Sequence, residues 1–331
     1  MFQNKQITKS CNQFILEALL KSTEVLSDDA QNQIKSFLGS QKSEAGGFMD
    51  RAGKADLYYS VFGYTLSLIL DVKLDVLEER KYLKRIKQEE NLDFVHSMCF
   101  VRCDFLLHLI DLQQRSRLSA SKFLTISFAK DLILGKVVKS LRINCSALLW
   151  ELEEYLASDS GYNHNKKGAA KSTIYANYLM WTLYQDLQTE QDVLDEITDA
   201  NRLLRAENGS FANEENSIDG VTSSTAAGLI MSSASELEEM LKTKDWLKQM
   251  LTKRGGFKAA EGVPLADLLS TSTALLALQL TGENMQNFAE NSVNFINLHW
   301  DESGGFFGSI ADMTCDVEYT YYALLGLGVL S

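Results

Sequence analysis

The sequence predicts an all-α chain of helix pairs closed into a ring, and three observations predict it. A short element recurs: two glycines and an aromatic residue, a polar loop, an aspartate, then an apolar run long enough for a buried helix. It is sharpest at Gly46–Leu70 (GGFMDRAGKADLYYSVFGYTLSLIL), Gly255–Leu278 and Gly304–Leu327, and weaker at Gly161–Leu183 and Asn208–Met231. Amphipathic helices alternate with apolar ones at roughly 46–49 residues, the spacing of stacked helix pairs. No stretch alternates apolar and polar residues as a half-buried strand does.

Ile7–Leu26 reads as an amphipathic helix with Ile15, Leu16, Leu19 and Leu20 on one stripe. Ser27 before Asp28 and Asp29 is an N-cap with acids in the first turn, where the helix dipole favours them. The helix behind it carries Ile34, Phe37 and Leu38. After the first repeat, the charged Lys73–Gln88 reads as a solvated outer helix. Asn91–Leu112 is apolar almost all round and so buried, although it lacks the glycine entry. Ser119–Val138 and Asn144–Ala157 are predicted as further helices. Leu237, Met240, Leu241, Leu247, Met250 and Leu251 give one charged helix an apolar face, and Met285, Phe288, Phe295 and Ile296 do so for another. Ser270–Leu280 and Tyr319–Leu330 lack a charged face and read as inner helices. The last repeat stays apolar to Leu330, where an open array would need a polar cap. The last pair is therefore expected to pack on the first, and residues 1–331 to form one domain of about six pairs.

Composition narrows the partners. A net charge of −12 opposes binding to nucleic-acid backbones or anionic membranes. No apolar run reaches the roughly 18 residues of a membrane span. Five cysteines at irregular spacings and a polar start, MFQNKQITKSCNQ, predict free thiols and a cytoplasmic location.

The recurring aspartates are Asp56, Asp219, Asp267 and Asp316, each followed four residues later by a hydroxyl: Ser60, Ser223, Thr271 and Thr320. The plain role for each is an N-cap. In a ring of inner helices that all start at one end, these caps gather at one mouth, where helix N-termini favour anions.

This pattern of GGF loop, aspartate, hydroxyl and apolar helix resembles the repeat of the prenyltransferase and squalene-cyclase superfamily. The resemblance implies an (α/α)6-type toroid with inner apolar and outer amphipathic helices. It also implies a hydrophobic small molecule in the cavity, either an isoprenoid such as a prenyl diphosphate or a terpenoid. Protein prenyltransferases of that superfamily hold zinc with the aspartate, a cysteine two residues on and a histidine from another repeat. Here Leu269 and Ser270 follow Asp267, Glu318 and Tyr319 follow Asp316, and Tyr58 and Tyr59 follow Asp56. Leucine cannot ligate zinc and neutral tyrosine is a poor ligand, so no metal or other cofactor is expected. The family's diphosphate pocket has a match in Arg51 and Lys54 just before Asp56, a base pair suited to clamping phosphate. Lys166, Lys167 and Lys171 bring charge to another loop.

Class II cyclases of the superfamily carry D-x-D-D-T, whose middle acid protonates an alkene or epoxide. The last repeat reads Asp316-Val317-Glu318-Tyr319-Thr320, which places Glu318 as the catalytic acid with Asp316 beside it. A carboxylic acid facing an apolar cavity has the raised pKa that proton donation needs. Asp56, Tyr58, Tyr59, Asp267 and Tyr319 are expected to line the substrate path with Arg51 and Lys54. Tyr175, Tyr178, Trp181, Tyr321 and Tyr322 add aromatic faces suited to isoprenyl chains and cations.

Asp93, His96, Cys99 and Cys103 share one helix face, but four such residues span about 15 Å and cannot surround one ion. The readings that remain are a zinc-independent enzyme acting on an isoprenoid, prenyltransferase-like or cyclase-like, and a non-catalytic toroid that binds a lipid or, on its outer face, a partner protein.

Overall fold

The computed structural model describes residues 9–89, 91–129, 131–213, 220–232 and 236–331. Its helices alternate as outer and inner members of a ring. The outer helices are α2 (Asp28–Ser40), α4 (Val76–Glu89), α8 (Ser146–Glu153), α10 (Gln191–Arg202), α12 (Leu237–Gln249) and α14 (Ala289–Asn297). The inner ones are α3 (Leu57–Ile69), α5 (Phe94–Ser116), α9 (Ile174–Asp186), α11 (Thr222–Met231), α13 (Leu268–Leu280) and α15 (Val317–Leu330). Helix α1 (Cys11–Val25), capped by Ser10, precedes them, and α6 (Ala120–Ala129) and α7 (Asp131–Asn144) lie between the second and third pairs. The stretch expected as a helix over Ser119–Val138 is helical on both sides of residue 130, which lies outside the described residues.

Inner helices are buried on nearly every side, which is why their sequences lack a charged face. Helix α3 packs on α5, α9 on α11, α11 on α13, α13 on α15, and α15 on α3. Between α5 and α9 the ring is joined by Arg102, whose Nη1 donates to Asp186 at 3.0 Å. Helix α1 lies against α15, α3 and α9 at the end of the bore where the inner helices finish.

The repeat is held by a hydroxyl clamp. Thr271 Oγ1 donates to the carbonyl of Asp267 at 2.6 Å and accepts from Phe257 N–H at 2.9 Å. Ser60 does the same between Asp56 and Phe48, and Thr320 between Asp316 and Phe306. In the fourth repeat the clamp on Phe211 is Thr225, and the helix is capped at Val221. The expected pair Asp219 and Ser223 is therefore two residues out of register, and Asp219 lies outside the described residues. In the third repeat Asn177 replaces the hydroxyl and accepts from Tyr162 N–H at 2.6 Å.

Gly46, Gly209, Gly255 and Gly304 each let their loop reach the next outer helix. A Cβ on Gly255 (φ +92°) would lie 2.1 Å from the Asn291 carbonyl of α14. On Gly304 (φ +88°) it would lie 2.3 Å from the Gln33 carbonyl of α2, so the last loop docks on the first outer helix. Helix α15 meets α1 as closely: a Cβ on Gly328 would come within 1.7 Å of Ala18 O. These contacts close the ring, as expected.

Two short ribbons depart from the helical reading. Strand β1 (Phe48–Met49) pairs with β2 (Ala55–Asp56), and β3 (Phe306–Ser309) with β4 (Asp312–Asp316), both antiparallel. They are too short for a period of two to register. The first is made by its turn, where Asp50 Oδ1 accepts from the Ala52 and Lys54 amides at 2.8 and 2.9 Å. Among the described residues no helix is long and apolar enough to cross a membrane.

Candidate functional site

The aspartates at the inner-helix starts are caps: Asp56 accepts from Tyr59 N–H at 3.0 Å, Asp267 from Ser270 N–H at 2.7 Å, and Asp316 from Tyr319 N–H at 2.8 Å. Asp93 caps α5 and Thr173 caps α9. The mouth of the bore is therefore a collar of capping side chains. Burial pushes Asp267 and Asp316 up from the ordinary carboxylate value, with the capped amides opposing it.

Arg51 crosses this collar. From the β1–β2 turn it donates Nε to Asp316 at 2.8 Å and Nη1 to Asp312 at 2.6 Å, and it stacks over Tyr319 at 5.3 Å. Burial alone would lower its pKa, but the two carboxylates hold it above the ordinary guanidinium value. Lys54 is exposed, with no ion pair among the described residues. The two bases expected to clamp phosphate are thus an arginine already held by two acids and a solvated lysine.

Tyr58 donates to Glu318 Oε1 at 2.6 Å. Glu318 is pushed up from 4.5 to about 6, first by burial and further by Asp316, while the Tyr58 hydrogen bond and Arg51 oppose the rise. Tyr59 is half-buried and meets Tyr58 edge-on at 5.7 Å. His96 binds Asp93 through Nδ1 at 2.9 Å, and its Nε2 lies 3.8 Å from Asp56. Asp267 also accepts from Ser270 Oγ at 2.8 Å and stays on its own helix.

Below the mouth lies a cavity of about 240 Å3. Tyr58, Phe62, Tyr175, Tyr178, Tyr321 and Tyr322 form its aromatic wall. Phe62 touches Tyr58 at 5.0 Å and Tyr321 at 5.1 Å, both edge-on, so the wall is a continuous packed surface. Trp181, expected with this group, lines a separate cleft beside α1. The cavity's inner end is polar. Asp186 there accepts from Ser10 Oγ at 2.8 Å, Asn12 Nδ2 at 2.7 Å and Arg102 Nη1 at 3.0 Å. Burial raises Asp186 against the pull of those three partners. The sequence held a signal for this end, since Arg102 is the one Lys or Arg in the stretch Asn91–Leu112.

The zinc set of the resembled transferases does not fit these residues. Both oxygens of Asp267 bind Ser270, Leu269 offers no donor, and Tyr319 is stacked under Arg51. On the α5 face, Cys103 turns its thiol to the Leu57 carbonyl at 3.7 Å, and Cys99 lines the cavity. Among the described residues no three His, Cys, Asp or Glu side chains converge as a metal site needs.

A family model for the prenyltransferase alpha-alpha toroid domain matches residues 8–101 and 223–331. No curated protein sequence matches the chain significantly. Among solved structures, Candida albicans protein geranylgeranyltransferase-I complexed with GGPP is similar with a TM-score of 0.59 at 15% identity, over 89% of each chain. Type II terpene cyclase MstE from Scytonema is similar with a TM-score of 0.54 at 11% identity, over 94% of this chain and 97% of that one. A glycosidase variant in complex with glucose reaches 0.52 at 10% identity, over 98% and 100%. At these identities the structural likeness establishes the fold and nothing finer. The family match covers more than half of the chain and agrees with the ring of helix pairs, so the chain belongs to the prenyltransferase alpha-alpha toroid domain family.

Proposed function

We propose that the toroid binds a neutral isoprenoid in its aromatic cavity and that Glu318 protonates it. The observation that carries this reading is the half-buried Glu318 carboxyl, pushed up to about 6, on the hydroxyl of the cavity-wall residue Tyr58. Tyr58 occupies Oε1, which leaves Oε2 to carry the proton. Delivered to an epoxide oxygen, that proton breaks a C–O bond. An alkene of the same molecule supplies the electron pair that closes a C–C bond, and loss of a proton from carbon ends the sequence, so the reaction is a net isomerisation. The faces of Tyr175, Tyr178, Tyr321 and Tyr322 suit the intervening cation. Asp316, Tyr319 and Tyr59 position the acid and the mouth. Asp312 and Asp316 hold Arg51, and Asp56 and Asp93 add carboxylates beside His96 at the helix starts, which disfavours a diphosphate head.

The test is incubation with the terminal epoxide of geraniol and product analysis by gas chromatography–mass spectrometry. Cyclised product is expected with wild type and not with Glu318→Gln. The rate should fall as pH rises through about 6, because the protonated acid is consumed. Equal product from both proteins, or a rate flat across that pH, overturns acid catalysis. Tighter calorimetric binding of geranyl diphosphate than of geraniol would favour prenyl transfer instead.

A further inference from the structure

The inner end of the cavity has hydrogen-bonding capacity that the protein leaves unused. Arg102 offers five N–H donors, and the one protein acceptor it meets among the described residues is Asp186. Its face rests on Phe105 at 5.2 Å. Asp186 already accepts from three donors. The threonines of the wall give their protons to their own helices: Thr65 donates to Val61 O at 2.8 Å, Thr182 to Leu179 O at 2.9 Å, and Thr273 to Leu269 O at 2.7 Å. A ligand filling the cavity therefore meets, at the far end, guanidinium donors that no protein acceptor occupies.

Charge selects further. Arg102 and Asp186 cancel, so a carboxylate or phosphate placed there would be buried without a counter-charge. A plain hydrocarbon end would strip Arg102 of water and return nothing. We propose that Arg102 forms a second recognition site, which receives a neutral oxygen, a hydroxyl or carbonyl, on the far end of the cavity's ligand. The ligand is then polar at both ends, with an apolar body between. Its size follows from the cavity: about 150 Å3 accommodates the six carbons of benzene, so this space of about 240 Å3 accommodates about ten heavy atoms. This inference rests on the reading above for a ligand that enters from the mouth, and not for the chemistry done on it.

The test is calorimetry with two matched pairs: geraniol against geraniol hydroxylated on its terminal methyl, and octanol against the octane diol bearing hydroxyls at both ends. The second hydroxyl should tighten binding to wild type by about tenfold, the scale of one charge-assisted hydrogen bond. The double variant Arg102→Met/Asp186→Leu removes the ion pair together, so no lone charge stays buried, and it should bind both members of a pair equally. Equal affinities within both pairs on wild type overturn the site, as does a preference that survives in the double variant. The wild-type comparison decides the question even if that variant does not fold. Preference in the linear pair alone supports the site while overturning the isoprenoid reading. Cyclisation of the epoxide without any preference does the reverse, and binding of none of the four compounds overturns both.

Discussion

Glu318 titrates higher in the folded chain than in the unfolded one, 4.5 rising to about 6, chiefly through burial. Folding therefore favours its protonated form. The associated stability is fully present below pH 4.5 and is lost as pH rises through about 6. At 1.36 kcal/mol per pH unit the loss amounts to about 2 kcal/mol. Glu318→Gln keeps an acceptor for Tyr58 and never ionises, so above pH 6 it should be more stable than wild type by up to about that amount, and equal to it near pH 4.5. Urea unfolding at the two pH values checks this, and a variant less stable at both contradicts the burial argument. The same residue then separates stability from chemistry, since the substitution that strengthens the fold should abolish cyclisation.

At the scale of the element, the hydroxyl clamp ties each loop to its inner helix. Thr271→Val keeps the shape but leaves the buried Phe257 N–H without its acceptor. It should cost about 1–3 kcal/mol, against little for an exposed control outside the clamp such as Thr125→Val on α6; chemical denaturation measures both. Much of this level was legible. Amphipathic and apolar faces separate outer from inner helices, and the aspartates at Asp56, Asp267 and Asp316 announce the caps. The fourth repeat was misaligned because Asp219 and Ser223 imitate the motif, whereas Thr225 carries the clamp. The site was less legible than the fold. Arg51 and Lys54 stand three residues apart in sequence, but Arg51 finds its partners more than 260 residues away, at Asp312 and Asp316. No local pattern records such a pairing. Arg102 and Asp186 escape for the same reason, being separated by 84 residues.

For the whole molecule, the join between α15 and α1 is as close as any made within a repeat. Gly328→Ala places a methyl group against Ala18 O, where the backbone must shift. A destabilisation of at least about 3 kcal/mol is expected, in the range of severe overpacking. Gly53→Ala, at a positive φ but with open space around it, should be milder. Thermal unfolding of the two variants makes the comparison, and equal melting points would mean that the seam gives way without loss.

The seam also has a consequence in time. An open stack of repeats can nucleate anywhere and grow by neighbours, so its ends fray independently. A ring whose last helix must find its first cannot finish that way. Its final contacts close a loop of about 300 residues, and the entropy of that closure is lost before the contacts return anything. Until α15 seats on α1, the half-built ring exposes the apolar faces of its inner helices to solvent and to other chains. The chain's net charge of −12 opposes contact between such unfinished rings while the last join is made.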